Sequence, residues 1–349
     1  MNFASDNTAG VAPRILDAIA RASSGFALGY GNDDLTRRVE QRMAALFERA
    51  LAVFLVPTGT AANALALAQI APPWGAVLCH SQAHIATDEC GAPEFFGGGL
   101  KLIGLPGEGC KLAPATVRAA IERHSGHRPH FVQPAALSLS QVTEAGTIYS
   151  LAEIEALADI AHAHGLAVHM DGARFANALV RLGVTPAEMS WKAGIDVLSF
   201  GATKGGALAA EAIVIFDPVR ADAMAERRKR GGHLLSKHRF LAVQFEAFLS
   251  DDYWLALARH ANAMADRLAG KLTAAGLVPV WPVDANLVFV VLPQAADARL
   301  RAAGAGYYAR NADGLDGISI TAGDVLARLV TSFATTETEV DSFVALAAG

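Results

Sequence analysis

Apolar residues follow two spacings along this chain, one typical of buried strands and one typical of amphipathic helices. Strand-length apolar runs fall at residues 52–57, 76–79, 100–105, 167–170, 197–200 and 212–216, and a further strand is predicted within residues 129–139. Helix-spaced apolar positions lie between them, at residues 35–47, 61–70, 116–124 and 150–164. Strands separated by helices predict an α/β fold with a mostly parallel sheet and helices on both faces.

The helix over residues 150–164 has the clearest boundaries. It begins with Ser150-Leu151-Ala152-Glu153, a capping box in which Ser150 and Glu153 satisfy each other's backbone N–H groups. It ends at Gly165, because glycine readily takes the left-handed conformation after a helix.

The chain is long enough for more than one core. Its 349 residues exceed the roughly 250–300 that one core usually serves. A polar, basic stretch at residues 225–239 indicates a domain boundary. Beyond it, residues 240–274 are predicted to be largely helical, and residues 278–293 and 317–333 are predicted to supply strands. We predict an N-terminal segment (1–30), a large domain (31–239) and a small C-terminal domain (240–349).

Composition narrows the class of protein. Hydrophobic residues make up 52% and charged residues 18%, with a formal net charge of −5. Nothing in this balance indicates binding to nucleic acid or to an anionic membrane. No apolar run reaches the ~18 residues of a membrane span, and the N-terminus lacks a signal-peptide pattern. Cys79, Cys90 and Cys110 lack metal-ligand spacing, so we predict reduced thiols in a soluble, cytoplasmic protein.

Two polar residues at strand ends indicate chemistry. Lys204 follows the strand at 197–200 in the segment SFGATKGG, and Asp171 follows the strand at 167–170 in HMDGAR. This pair suits a pyridoxal phosphate (PLP) enzyme. The lysine would hold the aldehyde as a Schiff base, and the aspartate would keep the pyridine nitrogen protonated. Each alone could be a solvated turn lysine or a helix cap, but their order and small neighbours favour the joint function.

The junction at residues 56–63 predicts a phosphate site. Thr58, Gly59 and Thr60 follow a strand and open a helix, whose free N–H groups and dipole favour an anion. The segment has neither the Gly-Lys-Ser/Thr of a Walker loop nor a dinucleotide fingerprint. An ordinary cap and turn remains the alternative interpretation.

Further candidates are histidines and arginines. His84 suits stacking on an aromatic cofactor or proton transfer, with a hydrogen-bonded loop histidine as the alternative, which is favoured for His80. No third ligand is placed to complete a metal site with these two residues. Arg174 follows Asp171 closely, and Arg328 lies in an apolar run, where a guanidinium needs an anionic partner. A substrate carboxylate and an internal Asp or Glu are equal alternatives for that partner.

Together these segments resemble the PLP-dependent threonine aldolases, the low-specificity L-type within the β-eliminating lyase group. The matching stretches run in order over nearly the whole chain, at residues 3–7, 30–33, 58–63, 83–92, 169–174, 199–204 and 328–331. The HMDGAR and Thr-Lys segments are specific, whereas the two N-terminal ones are weaker. The resemblance implies an aspartate-aminotransferase-like (type I) fold, with a large PLP-binding domain and active sites at the interface of a homodimer or homotetramer.

The resemblance also implies roles for single residues. Lys204 would bind the cofactor, Asp171 would pair with its ring nitrogen, and His84 would stack on the ring and position or deprotonate the substrate β-hydroxyl. Thr58, Gly59 and Thr60 would hold the phosphate. The substrate would be bound by Ser5, Tyr30 and Arg328, together with Arg174, which would reach the cofactor's phenolic oxygen or the substrate carboxylate.

The implied activity is retro-aldol cleavage of L-threonine and related β-hydroxy-α-amino acids to glycine and an aldehyde. β-Elimination or transamination on the same fold is the alternative, and a catalytically silent binding protein is another. Where many relatives carry a Gly-rich run with Met-Arg-Gln, this chain has GGHLLSK at residues 231–237, so Lys237 is a candidate replacement contact. Residues 88–96 resemble a subgroup that accepts bulky aryl substrates.

Overall fold

The computed structural model describes residues 1–310 and 320–349 and contains a large and a small β-sheet. The strands are β1 (Ala52–Val56), β2 (Gly75–His80), β3 (Lys101–Leu105), β4 (Gln133–Ser140), β5 (Ala167–Gly172), β6 (Val197–Gly201), β7 (Glu211–Ile215), β8 (Leu287–Leu292), β9 (Tyr308–Arg310) and β10 (Val325–Val330). The helices are α1 (Pro13–Ala22), α2 (Asp34–Leu46), α3 (Gly59–Ile70), α4 (His84–Thr87), α5 (Ala92–Phe96), α6 (Pro114–His124), α7 (Leu151–Ala163), α8 (Phe175–Leu182), α9 (Met224–Arg230), α10 (Arg239–Leu249), α11 (Tyr253–Ala274), α12 (Gln294–Ala302) and α13 (Glu337–Ala348).

The large sheet has the strand order β1-β7-β6-β5-β4-β2-β3 and is mostly parallel, as predicted. The exception is β7, which lies antiparallel to both neighbours, β1 and β6. A short loop at residues 202–210 joins β6 to β7 without a helix. A parallel neighbour needs a long crossover connection, so this loop returns the chain in the opposite direction.

The centre of the large sheet is buried on both faces. Every residue of β2, β5, β6 and β7 is buried, without the alternation of a sheet that has one wet face. Phe200 of β6 packs edge-on against Phe175 and Trp254, with ring centroids 5.5 Å apart in both pairs. This aromatic cluster lies directly behind the carboxyl end of β6 and keeps that end in place.

The predicted capping box is present at the start of α7. Ser150 N donates to Glu153 Oε2 at 2.7 Å, and Glu153 N donates to Ser150 Oγ at 3.3 Å. Gly165 follows the helix with a φ of 74°. Residues 240–274 are largely helical, as predicted, and form two helices, α10 and α11. The break falls at Asp251 and Asp252, which take left-handed backbone conformations.

The small sheet has the antiparallel order β8-β10-β9. It packs with α11 and α13 in a core that also includes Phe3 from the N-terminal segment. Of the predicted strand region 317–333, residues 317–319 lie outside the described residues. The division at residues 239/240 stays a prediction, and α10, which follows it, packs against α1 and α2 in the core of the large sheet. Among the described residues, no helix combines the length and apolar character that crossing a membrane requires.

Candidate active site

A cavity of about 880 Å³ lies where the parallel strands of the large sheet end. Asp171 is the penultimate residue of β5, Lys204 follows β6, His84 follows β2 and Gly59 follows β1. The carboxyl ends of parallel strands share one edge of a sheet, which is where α/β proteins bind ligands. The predicted site residues that line this cavity are Ser5, Thr58, Gly59, Thr60, His84, Asp171, Arg174, Lys204 and Arg328.

The first turn of α3 can accept an anion. Thr58 caps the helix, because its Oγ1 accepts a hydrogen bond from Ala61 N at 3.1 Å. The N–H groups of Gly59 and Thr60 lie at the first helical positions, where no intrahelical acceptor exists. A Cβ on Gly59 would meet no atom within 4 Å, so this end of the helix opens directly into the cavity. Thr58 is therefore a cap, and the turn still offers the free N–H groups that a phosphate needs.

Asp171 is a buried anion. Its Oδ1 accepts from Ala173 N at 3.0 Å, and its Oδ2 accepts from Asn63 Nδ2 at 2.8 Å. Burial disfavours the charged form, but the attraction of Lys204 and of His84 outweighs it and holds the pKa of Asp171 below its ordinary value. A negative charge held in this way can stabilise a protonated ring nitrogen.

Lys204 carries an amine without a fixed partner. Within residues 1–310 and 320–349, its Nζ makes no hydrogen bond or ion pair. Burial and the nearby charge of Arg174 lower the pKa of Lys204, and Asp6 and Asp171 offset this only in part. A lowered pKa increases the neutral, nucleophilic fraction of the amine. Lys204 and Asp171 therefore combine a nucleophile with an anion in one cavity.

Two residues to which the sequence analysis assigned no role, Glu89 and Asn63, join His84 to Asp171. Glu89 Oε1 lies 2.8 Å from His84 Nδ1 and accepts from Asn63 Nδ2 at 2.8 Å. The hydrogen bond to Glu89 raises the pKa of His84, although burial opposes it. The available sequence signal was Asn63 itself, an amide within the otherwise apolar run of α3, because a buried amide needs hydrogen-bond partners.

Two further acidic side chains line the cavity. Glu144 Oε1 accepts from His84 N at 2.9 Å and from Ser140 Oγ at 2.8 Å, and burial raises the pKa of this carboxyl. Glu211 begins β7 beside the turn of Lys204, and burial raises its pKa to about 7. Neither was a sequence candidate. A glutamate inside an apolar strand run, as at Glu211, is the signal that could have found the second.

Two arginines hold the N-terminal segment against the cavity. Arg174 forms a bidentate pair with Asp6, with Nε to Oδ2 at 2.7 Å and Nη2 to Oδ1 at 3.0 Å. Arg328 Nη1 donates to Ala4 O at 3.2 Å, while its buried Nε has no hydrogen-bond partner among the residues that the structure describes. Burial, and then the charge of Arg174, lower the pKa of Arg328 to about 10. Arg174 thus has an internal carboxylate as partner, and Arg328 retains a donor for an incoming anion.

Two predicted residues lie elsewhere. Tyr30 is 51% exposed and contacts Lys229, whose Nζ lies 4.7 Å from its ring centroid. Lys237 is exposed, and neither residue lines the cavity of its own chain. Their predicted contacts with substrate stay predictions. His80 Nε2 lies 3.0 Å from Gly107 O, the hydrogen-bonded arrangement favoured for it. Among the described residues, no cluster of three or more His, Cys, Asp or Glu could hold a metal ion.

Comparison with known proteins gives consistent matches. The family described as beta-eliminating lyase matches residues 2–295. A low specificity L-threonine aldolase of Pseudomonas aeruginosa is 45% identical over 309 residues, which cover 88% of each chain. The structure of a threonine aldolase of Leishmania major matches with a TM-score of 0.92 and 31% identity, over 99% of this chain and 98% of that one. A serine palmitoyltransferase of Sphingomonas wittichii, at 13% identity and a TM-score of 0.73 over 100% of this chain and 86% of that one, shares the fold alone.

Proposed function

This chain belongs to the β-eliminating lyase family, and we propose that it cleaves L-threonine and related β-hydroxy-α-amino acids to glycine and an aldehyde, with PLP as its cofactor. One observation carries the proposal: Lys204, Asp171 and His84 line a single cavity with the open N-terminus of α3. The predicted PLP-dependent aspartate-aminotransferase-like (type I) fold is confirmed by the structural matches.

The residues around the cavity fit PLP. The open turn at Gly59 and Thr60 suits its phosphate, Asp171 suits its ring nitrogen, and the buried amine of Lys204 suits its aldehyde. When bound, PLP supplies an electron sink for the bond pair released from the substrate.

The chain's own residues would bind and orient the amino acid. Arg328 is the candidate partner of the substrate carboxylate, because its buried Nε has no acceptor within residues 1–310 and 320–349, whereas Arg174 already binds Asp6 through two nitrogens. His84 presents its imidazole to the cavity and is the candidate base for the β-hydroxyl. The lowered pKa of Lys204 favours the neutral amine that can attack the cofactor's aldehyde.

The test is product analysis with purified protein and added PLP. Equal amounts of glycine and aldehyde from L-threonine are expected, and L-phenylserine in parallel would reveal any preference for an aryl side chain. The Lys204→Ala variant is the control and should release neither product. A keto acid with ammonia would move the assignment to β-elimination, and transfer of the amino group would indicate a transaminase.

The proposed assembly is a homodimer or homotetramer in which Tyr30 reaches the cavity of a neighbouring chain. This assembly is supported by the position of Tyr30, which lies outside the cavity of its own chain, in a loop where Phe26 and Leu28 are also exposed. Exposed apolar side chains concentrated in one loop favour contact with a partner. The proposed location is the cytoplasm, which the reduced thiols Cys79, Cys90 and Cys110 suit.

A further inference from the structure

The hydrogen bonds around His84 determine which nitrogen carries its proton. Glu89 Oε1 lies 2.8 Å from His84 Nδ1 and also accepts from Asn63 Nδ2. Asn63 Nδ2 bridges two carboxyl groups, those of Glu89 and Asp171, at 2.8 Å each, so this atom must be the amide nitrogen. A carboxylate oxygen that accepts from Asn63 also accepts from His84, which therefore carries its hydrogen on Nδ1.

Burial differs sharply across this contact. The Glu89 side chain is 0% exposed, whereas that of His84 is 41% exposed. Within the described part of the chain, His84 Nε2 makes no hydrogen bond. The imidazole thus has one nitrogen bonded to a buried carboxylate and the other free to meet a ligand. The same arrangement, a carboxylate behind a histidine that acts as base, is how an imidazole is held in a single tautomer.

We propose that Glu89, held in place by Asn63, is a positioning residue that fixes the proton of His84 on Nδ1 and leaves Nε2 to accept the proton of the substrate β-hydroxyl. This inference rests on the proposed function. The proton leaves the β-oxygen and binds Nε2, and the imidazolium that forms is stabilised by the Glu89 carboxylate. The step is a proton transfer alone, without oxidation or reduction.

The other charges near His84 act in both directions. The hydrogen bond to Glu89 is the largest influence and raises the pKa of His84, burial lowers it, Asp171 raises it, and Lys204 lowers it. Glu144 meets the histidine through the backbone, since its Oε1 accepts from His84 N. Because the base must be neutral, the rate rises with pH through the pKa of His84. Burial raises the pKa of Glu89 itself, against the hydrogen bonds from His84 and Asn63, so this acid limb belongs to the His84–Glu89 pair, and Glu89 influences the pKa of His84 more than any other neighbour.

The decisive variant is Glu89→Gln, which retains an oxygen acceptor for Asn63 and His84 but removes the charge. We expect the acid limb of kcat/KM for L-threonine cleavage to move to lower pH by roughly one unit. The plateau at high pH should fall roughly tenfold, because the base is weaker and its imidazolium is less stabilised. Binding of PLP and the absorbance of the lysine-bound cofactor should not change, because Lys204, Asp171 and α3 are intact.

A second readout does not depend on turnover. In protein with ¹⁵N-labelled histidine, the His84 signals, assigned by their loss in His84→Phe, should show the Nδ1–H tautomer. In Glu89→Ala they should show a mixture of tautomers. The control is Glu108→Gln, an exposed residue outside the cavity, which should leave the pH profile and the tautomer unchanged.

Two results would overturn the inference: a Glu89→Gln profile that overlies the wild-type profile, or an Nε2–H tautomer in the wild-type protein. Failure of the proposed function is distinguishable, since the wild-type protein would then release no glycine and aldehyde. In that case the nitrogen shifts would still report whether Glu89 holds the tautomer of His84.

Discussion

The charge of a buried residue in the cavity depends on neighbouring groups that compensate for its lost hydration. Asp171 stays ionised in a buried position because Lys204 and His84 lie near it and Ala173 N donates to it. Thr203 and Lys204 also favour the charged form of Glu211, but burial outweighs them and raises its pKa to about 7. A carboxyl group in this condition makes the stability of the folded chain depend on pH.

We predict that Glu211→Gln stabilises the protein at alkaline pH. The pKa of Glu211 rises from 4.5 to about 7 on folding, so the folded state holds the extra proton and stability falls as pH rises through this interval. The loss is complete above pH 7 and amounts to about 3 kcal/mol. Urea unfolding without PLP should therefore show the variant more stable at pH 8 than the wild type, and nearly equal to it at pH 4.5.

The matched control is Glu226→Gln, on the short helix α9 and away from the cavity. It should not change stability differently at the two pH values. A Glu211→Gln gain that is absent at pH 8, or equal at both pH values, would show that burial does not raise the pKa of this carboxyl in the folded chain.

At the scale of elements, helix α3 both packs against the large sheet and offers its N-terminus to an anion. Its residues 61–68 are all buried, and small alanines let it pack closely against β6 and β7 of the large sheet. Its first turn lines the cavity at Gly59 and Thr60, whose N–H groups have no acceptor within the helix. The helix is thus fixed by packing along its length, while its N-terminus is available to a phosphate.

We predict that Gly59→Ala separates these functions. Alanine at this helical position should stabilise the free protein by about 0.5–1 kcal/mol, because it reduces the entropy lost on folding. Its methyl group would stand where the phosphate approaches, so the Kd for PLP should rise roughly tenfold. Thermal unfolding of the cofactor-free protein and fluorescence titration with PLP would measure the two effects.

Gly270→Ala is the comparison variant. Gly270 lies in α11, and an added Cβ there also meets no atom within 4 Å. It should give a similar gain in stability with no change in PLP affinity. Equal PLP affinities for wild type and Gly59→Ala would remove α3 from the phosphate site.

At the scale of the whole molecule, the cavity is built by distant parts of the chain. Asp6 near the N-terminus pairs with Arg174 after β5 and accepts a hydrogen bond from Asn286, the residue before β8. Arg328 of β10 binds the backbone of Ala4. Tyr30, like Lys237, does not line the cavity of its own chain, and the proposal is that Tyr30 reaches the cavity of a neighbouring subunit.

We predict that two defective subunits complement each other. Tyr30→Ala and Lys204→Ala chains, co-expressed with different tags and purified as a heterodimer, would contain one site with both residues intact. Activity should then reach about half that of the wild-type dimer, because one of two symmetric sites is complete. If Tyr30 acted within its own chain, the heterodimer would not exceed half the activity of the Tyr30→Ala homodimer.

The amino-acid sequence by itself determined the alternation of strands and helices, the mostly parallel sheet and the pair Lys204 and Asp171. Apolar periodicity, capping residues and turn glycines act over a few residues, so they can be read along the chain. For the same reason the capping box at Ser150 and the opening of α3 after Thr58 could be predicted at nearly their observed positions.

Only the tertiary structure decided which side chains meet. The pairing of β1 with β7, the ion pair of Arg174 with Asp6 and the hydrogen bonds of Asn63 to Glu89 and Asp171 join residues that are distant in sequence. Hydrogen bonds and charges act over a few ångströms in space, whatever the distance along the chain. Their partners are therefore set by the fold, and so are the pKa values on which the proposed chemistry depends.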